Sequence, residues 1–427
     1  MIDFATEEIW IIVTCCVCAA ACALPGVFLM LSRSSLLADG ISHSALAGIG
    51  LAFLITQSRS PLAMLIGALL AGLATVTITS AINRIRIVKR DASLGIVFTT
   101  LFAIGVVLVS SVARDIDLDP GCVLYGVAEL IPFDTITIAG IELPRAFVTL
   151  SVLLLCNLSL CALFWKELKL SIFDPSLASS LGFRPKLVQY ALLICVTATI
   201  VFSFEALGSI LVVSMLVAPA AAAYLLADSL NRVVVIAVLL GVVSAFLGYL
   251  GALAINTSVA GAMSVVAGAL FVTAALLGPR HGLLATATSR YTLRYRITRD
   301  DLLGMLYRWH EVASREKADP LTVSDTIRAI PGRFLVRAAL NSLRRAGDVV
   351  IGADNTVRLS EKGLVEARAL VRSHRLWEAY LAKHLRLPLD HLHAPSERVE
   401  HYIGRALARE LADELESKKD PHGRIIP

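Results

Sequence analysis

Asp39 and His43 stand four residues apart in Ser35-Leu36-Leu37-Ala38-Asp39-Gly40-Ile41-Ser42-His43-Ser44, inside an otherwise apolar stretch. On a helix, positions i and i+4 share a face one turn apart, so a carboxylate and an imidazole would lie side by side. Oxygen and imidazole-nitrogen donors suit a borderline transition metal such as Mn²⁺, Fe²⁺ or Zn²⁺. Two ligands do not close a coordination shell, so a metal site here requires water or a second subunit. The plainer reading is an Asp–His hydrogen bond near a helix end.

A second series lies toward the C-terminus. His374 and Glu378 are again one turn apart in Val371-Arg372-Ser373-His374-Arg375-Leu376-Trp377-Glu378, and His393 follows. Glu397, Glu400 and His401 then fall in Ser396-Glu397-Arg398-Val399-Glu400-His401, where i, i+3 and i+4 spacing predicts one face of a helix. A charged solvent face accounts for any one of these residues alone. The whole series, with no cysteine in it, points to a site for Mn²⁺ or Fe²⁺.

The elements that must carry these two series differ in kind. The chain has 427 residues, 56% of them apolar and 17% charged, against about 45–50% and about 25% in an ordinary soluble domain. That balance excludes a simple soluble enzyme, a disordered chain and a disulfide scaffold. The average hides a division near Gly278–His281. Residues 1–279 carry 13 Lys and Arg against 15 Asp and Glu, net −2, while 280–427 carry 26 against 19, net +7. Eight of nine histidines lie in the second part and all eight cysteines in the first.

About 20 apolar residues cross a bilayer core. Candidate spans are 10–31, 36–56, 61–82, 92–113, 146–165, 187–204, 207–227, 232–254 and 260–278, and the acidic Asp3, Glu7 and Glu8 before the first argue against a cleavable signal. Basic residues follow spans one, three, five and seven, as Arg33, the 84–90 cluster, Lys166 with Lys169, and Arg232. The intervening loops are neutral or acidic, notably 115–119, so the N-terminus is expected outside and the tail in the cytoplasm. Cys15, Cys16, Cys18 and Cys22 read as packing residues of the first span, with a Cys15–Cys18 metal pair as the alternative. Cys122 is expected to be exposed outside. Glu205, expected between spans six and seven, is a further candidate for the ion path, or else a solvated loop carboxylate. There is no G-x-x-x-x-G-K-[ST] phosphate loop, so ATP hydrolysis would need another subunit.

Three ordered motifs resemble the ABC-type manganese/zinc/iron permeases: Leu36–Gly48, Phe173-Asp174-Pro175-Ser176-Leu177-Ala178-Ser179-Ser180-Leu181-Gly182, and Leu207–Ala220. The resemblance covers residues 1–282. It implies a bacterial inner-membrane protein, a permease dimer of identical or paralogous subunits, an ATP-binding cassette subunit, and an extracytoplasmic protein that delivers the metal. It also implies that Asp39 and His43 line the ion path. Phe173, Asp174, Pro175 and Gly182 would belong to the segment 173–186 that docks on the ATPase.

In the tail, 300–313 reads as an amphipathic helix, and 321–330 with 333–346 as a helix pair turned at Pro331-Gly332. Residues 349–351 and 356–359 read as a hairpin, and Ser360 as the cap of the next helix. Helix, helix-turn-helix and hairpin is a winged-helix layout. Its +7 charge fits nucleic acid and an anionic leaflet equally. This part resembles the metal-dependent repressors of the diphtheria-toxin and manganese-responsive type, from about Thr298 to the end. That resemblance implies one site of Asp301, Glu397, Glu400 and His401, and a second drawing on His374, Glu378 and His393. Glu397 stands where iron-type members carry cysteine. Gly304 stands where the manganese type has a further acid. Arg333 and Arg337 are candidate phosphate contacts, whereas Phe334 and Leu335 offer base edges nothing and would pack inward or against another protein.

The expected fold is an all-α polytopic membrane domain of about nine transmembrane helices, then a cytoplasmic α+β winged-helix and helical metal-binding domain. The expected boundaries are 1–282, a linker at 283–297, 298–363 and 364–427. The expected function is the permease subunit of an ATP-driven importer of manganese, iron or zinc, with a tail that senses Mn or Fe. The alternatives are a membrane-tethered, metal-responsive DNA-binding regulator and an ion-coupled secondary transporter, the latter disfavoured by the few intramembrane carboxylates.

Overall fold

The computed structural model describes residues 6–57, 60–85, 89–112, 128–138, 140–279, 282–316, 319–385, 392, 396, 399–415 and 419–427. The chain divides into two compact units, Met1–Ala285 and Thr286–Pro427.

The first unit is a helical bundle of α1 (Thr6–Leu31), α2 (Leu36–Thr56), α3 (Pro61–Arg84), α4 (Arg90–Val112), α5 (Arg145–Leu163), α6 (Trp165–Phe173), α7 (Pro175–Ser180), α8 (Pro185–Leu207), α9 (Ser209–Leu226), α10 (Leu230–Ile255) and α11 (Val259–Leu277). Among the described residues nine helices are long and apolar enough to cross a membrane, all of these except the short α6 and α7. Each coincides with a span expected from hydropathy. A two-stranded hairpin precedes α5, β1 (Thr135–Ile138) against β2 (Ile141–Pro144), turning at Gly140 with φ +84°. Its four-residue strands are too short to register in a hydropathy window. The 115–119 acids and Cys122 lie outside the described residues. Glu205 falls in the last turn of α8 and not in a loop.

Small side chains set the centre of this bundle. Cys18, Ala21, Cys22 and Ala23 on α1 are fully buried, which lets backbones approach where lipid supplies no hydrophobic drive. A Cβ on Gly26 would meet the Leu216 carbonyl oxygen at 2.0 Å, so α1 touches α9 directly. The same device holds α2 on α3, where a Cβ on Gly48 would stand 2.1 Å from the Gly67 oxygen. Asn157 of α5 adds polar ties: its Nδ2 donates to the Ala21 oxygen and to Thr199 Oγ1, both at 3.0 Å. Cys18 and Cys22 pair at 4.0 Å between sulfurs, with Cys22 Sγ 3.6 Å from Ser203 Oγ. The closest thiols therefore follow the i, i+4 step and not Cys15–Cys18.

The second unit contains all but the first three residues of α12 (Leu283–Glu316), then α13 (Val323–Ala329), α14 (Arg333–Arg345), β3 (Val349–Ile351), β4 (Val357–Leu359), α15 (Glu361–Leu385) and α16 (Arg405–Leu415). The segment read as a linker, 283–297, is the first part of α12. It holds no glycine or proline to stop the helix. Thr322 caps α13 in a capping box with Asp325, and forms an isolated bridge with Thr356, which ties the segment before α13 to the start of β4. Leu302, Leu306, Val336, Leu340, Leu343 and Val371 form its core. Gly363 sits where a Cβ would strike the Asp348 oxygen at 1.8 Å, seating α15 against the turn before β3. Ser360 Oγ accepts from the Gly363 amide at 3.0 Å, the cap read from the sequence.

Candidate metal centres

On α2, His43 Nε2 lies 3.4 Å from Asp39 Oδ1. The turn between them carries Ser42, whose hydroxyl donates to the Asp39 carbonyl at 2.8 Å. The imidazole stacks on Phe98 of α4, centroids 5.9 Å apart, and meets Phe102 edge-on at 5.5 Å. These rings fix one side of the pair. The other side stays open, with 34% of the His43 side chain and 48% of Asp39 exposed. The arrangement presents one nitrogen and one carboxylate on a wall, with the remaining ligand positions facing away from this bundle.

In the second unit the series is carried by α12, α15 and a 3₁₀ turn, Glu400–Tyr402. His374 Nε2 is 3.1 Å from Glu378 Oε1 on α15, both side chains almost fully buried. His401 lies between two carboxylates of α12: its Nδ1 is 3.3 Å from Asp300 Oδ2 and its Nε2 3.5 Å from Asp301 Oδ1. Sequence reasoning named Asp301 and missed Asp300, because a neighbouring acid on a helix normally points about 100° away. His401 and Asp300 border a cavity of about 500 Å³ that also includes Glu366 and Ser373. His393 and Glu397 lie outside the described residues, and so does the Glu400 side chain. Ser396 and Val399 are α-helical, and the backbone tightens to a 3₁₀ turn at 400–402. Among the described residues no group of three or more His, Cys, Asp and Glu closes round one point. The donors that are in place, imidazole nitrogen and carboxylate oxygen, fit a divalent metal of the manganese or iron type.

Beside His374, buried Arg375 holds Glu311 of α12 through two guanidinium–carboxylate bonds of 3.1 and 2.5 Å, and donates to the Ile425 carbonyl. A forked pair of this kind, buried on the arginine side, fixes α15 against α12, with the candidate ligands on both helices.

The 173–182 motif forms a helical corner. Asp174 caps α7, its Oδ1 accepting from the Leu177 amide at 2.9 Å, with Pro175 at the first helical position. Gly182 then turns the chain at φ +87°. Phe173, Leu177 and Leu181 are 61%, 45% and 59% exposed, an apolar edge with polar neighbours. On α14, Val336, Ala339, Leu340 and Leu343 set the inward phase, which turns Arg333 and Arg337 outward. The same phase leaves Phe334 78% exposed, which sets aside the inward alternative and keeps the one in which it packs against another protein. Leu335 is half-buried.

The profile of the ABC 3 transport family matches residues 7–278. The chain belongs to the ABC 3 transport family. In these permeases ATP hydrolysis resides in a separate subunit, consistent with a sequence that has no phosphate loop. Residues 360–427 match the metal-binding and dimerisation domain of iron-dependent repressors. The zinc transport system membrane protein TroD of Treponema pallidum is 41% identical over 63% of this ABC 3 chain and 73% of its own length. The manganese transport system membrane protein MntC of Bacillus subtilis is 28% identical over 97% of this chain and 92% of its own. That alignment extends through the tail as well as the permease. The solved structure titled PsaBC from Streptococcus pneumoniae in complex with Fab matches 65% of this chain and 94% of its own with a TM-score of 0.55, at 25% identity.

Proposed function

We propose that this chain is the permease subunit of an ATP-driven importer of a divalent transition metal, manganese, zinc or iron, and that Asp39 and His43 line the ion's path. The observation that carries the reading is the open Asp39–His43 pair on a membrane-spanning helix. Ionisable residues within a spanning helix are costly unless they serve an ion or a proton, and this pair occupies the first two turns of α2. Two donors on one wall bind weakly enough to release the ion, and leave room for ligands from water or a second permease subunit.

Partners follow from the same reading: an ATP-binding cassette subunit on the Phe173–Gly182 corner, an extracytoplasmic metal-binding protein at the opposite face, and a second permease subunit, identical or paralogous. The basic residues at alternate loop ends support a cytoplasmic tail and an N-terminus outside. Asp301, His374, Glu378, His393, Glu397, Glu400 and His401 would then supply ligands for a resident Mn or Fe ion that reports the cytoplasmic level. Ligands carried by α12 and α15 would let such an ion tie the two helices together. The reading divides the tail at about 363, between a winged-helix part and a metal-binding part.

Reconstituting the chain with its ATPase and delivery protein, and measuring uptake of Mn²⁺, Zn²⁺ and Fe²⁺ in competition, tests the proposal and ranks the metals. No ATP-dependent uptake of any of the three would overturn it. A second reading, a tethered DNA-binding regulator, draws on the outward Arg333 and Arg337. A gel shift of the full chain in detergent, with and without Mn²⁺, tests that role separately.

A further inference from the structure

A cavity of about 490 Å³ opens at the end of the bundle where α3 finishes and α8 begins. Its floor is apolar, with Val76 and Leu193 buried there. Its wall is the last two turns of α3, and its rim holds two cations, Arg84 and Lys186. Among the described residues that line it there is no carboxylate.

The donors converge. Thr79 is 3% exposed, and its hydroxyl has no hydrogen-bond partner in the chain. A buried hydroxyl left unsatisfied is destabilising, and a turn of the Thr79 side chain toward a ligand oxygen in the cavity would relieve it. Asn83, one turn further along the same face, has its Oδ1 occupied by the Ser93 hydroxyl at 2.6 Å. That bond fixes the amide so that its N–H groups remain as donors. Arg84 is steadied by the Tyr190 hydroxyl, 3.3 Å from its Nη2. Lys186 sits in the first turn of the 23-residue α8, where the helix dipole is positive.

Cations and N–H or O–H donors without an acid repel a divalent metal and attract an oxyanion, so this cavity is not the ion's route. Phosphate suits the set best, because guanidinium, ammonium and neutral donors can each take one of its oxygens. The apolar floor favours a phosphate that carries hydrocarbon. Both walls are membrane-spanning helices, so their ends meet phospholipid headgroups.

We propose that this cavity binds the phosphate of an anionic membrane phospholipid between the ends of α3 and α8.

The full-length chain, purified in mild detergent and examined by native mass spectrometry with phosphatidylglycerol, phosphatidylcholine or inorganic phosphate, tests this. Wild type is expected to retain phosphatidylglycerol through washing that removes phosphatidylcholine. The double variant R84Q/K186Q is expected to retain it about tenfold less, and Thr79→Val, which keeps the volume and removes the donor, about threefold less. Arg232→Gln removes an exposed cation elsewhere and is expected to change nothing; matching far-UV circular dichroism controls for folding. Equal retention by R84Q/K186Q and wild type, or an equal loss in Arg232→Gln, would overturn the site. Displacement of the lipid by millimolar inorganic phosphate would overturn the lipid as its occupant.

Discussion

His43 and Asp39 face each other across one turn of α2 at 3.4 Å, backed by Phe98 and Phe102 and open on the remaining side. A pair that served only to hold the helix would be enclosed. Alanine at either position is therefore expected to lower metal uptake by about tenfold or more, with assembly on the ATPase subunit unchanged. Asp39→Glu, which keeps the carboxylate but moves it, should recover part of the rate. Uptake at the normal rate in Asp39→Ala would sink the ion-path assignment.

The corner at 173–182 yields a second expectation. Phe173 and Leu181 are exposed, so their removal should leave the bundle's own stability alone. Exposed aromatic and aliphatic anchors that fill a partner's pocket dominate binding energy. Phe173→Ala is expected to weaken assembly with the ATPase subunit by about tenfold, measured by co-purification or by transport-coupled ATP hydrolysis. If Phe173→Ala assembles and hydrolyses ATP as wild type does, the docking surface lies elsewhere.

What the sequence disclosed, and what it withheld, has a physical pattern. Spans such as Leu230–Ile255 are legible because bilayer thickness imposes a length. Residues 333–345 are legible because burying Val336, Ala339, Leu340 and Leu343 imposes a 3.6-residue period. The same period, extended to Phe334, predicts its outward position, whereas its polarity alone leaves the inward and the partner-facing placements both open. Asp300 was missed for a different reason. Its approach to His401 spans 101 positions of chain, and no local pattern encodes it. Thr79 gives no signal either, since an apolar helix often hides a threonine by bonding it to its own backbone. Thr75 does so, donating to the Ala71 carbonyl at 2.9 Å.

The His401 environment leads to a third expectation. Both of its nitrogens are within 3.5 Å of a carboxylate on α12, so a metal there would join the 400–402 turn to that helix. A ligand that binds only the folded state raises stability by about 2.7 kcal/mol at a hundredfold excess over Kd. Thermal unfolding of the second unit in the full chain should therefore shift upward with Mn²⁺. The shift should shrink in His401→Ala and Asp301→Ala. His384 pairs with Glu414 at 3.1 Å on the exposed side of α15 and serves as a control. A Mn²⁺ response lost equally in His384→Ala would show that the metal acts through general charge and not through this site.

The capping box of α13 carries a pH dependence whose sign is fixed. The Thr322 hydroxyl and backbone N–H both donate to the Asp325 carboxylate and hold its pKa below the ordinary 3.8. Because the folded value is the lower one, the stabilisation is fully present above about pH 4 and fades as pH falls through that lowered value. Asp325→Asn keeps the shape and removes the titration, so at pH 7 the second unit should unfold at a lower denaturant midpoint than wild type. As the pH is brought down past 3.8 the gap between the two proteins should narrow. A constant gap from pH 7 to pH 3 would mean that the carboxylate's charge contributes nothing to the cap. In that case the bond from the Asp325 amide to Thr322 Oγ1 would alone be responsible for where α13 begins.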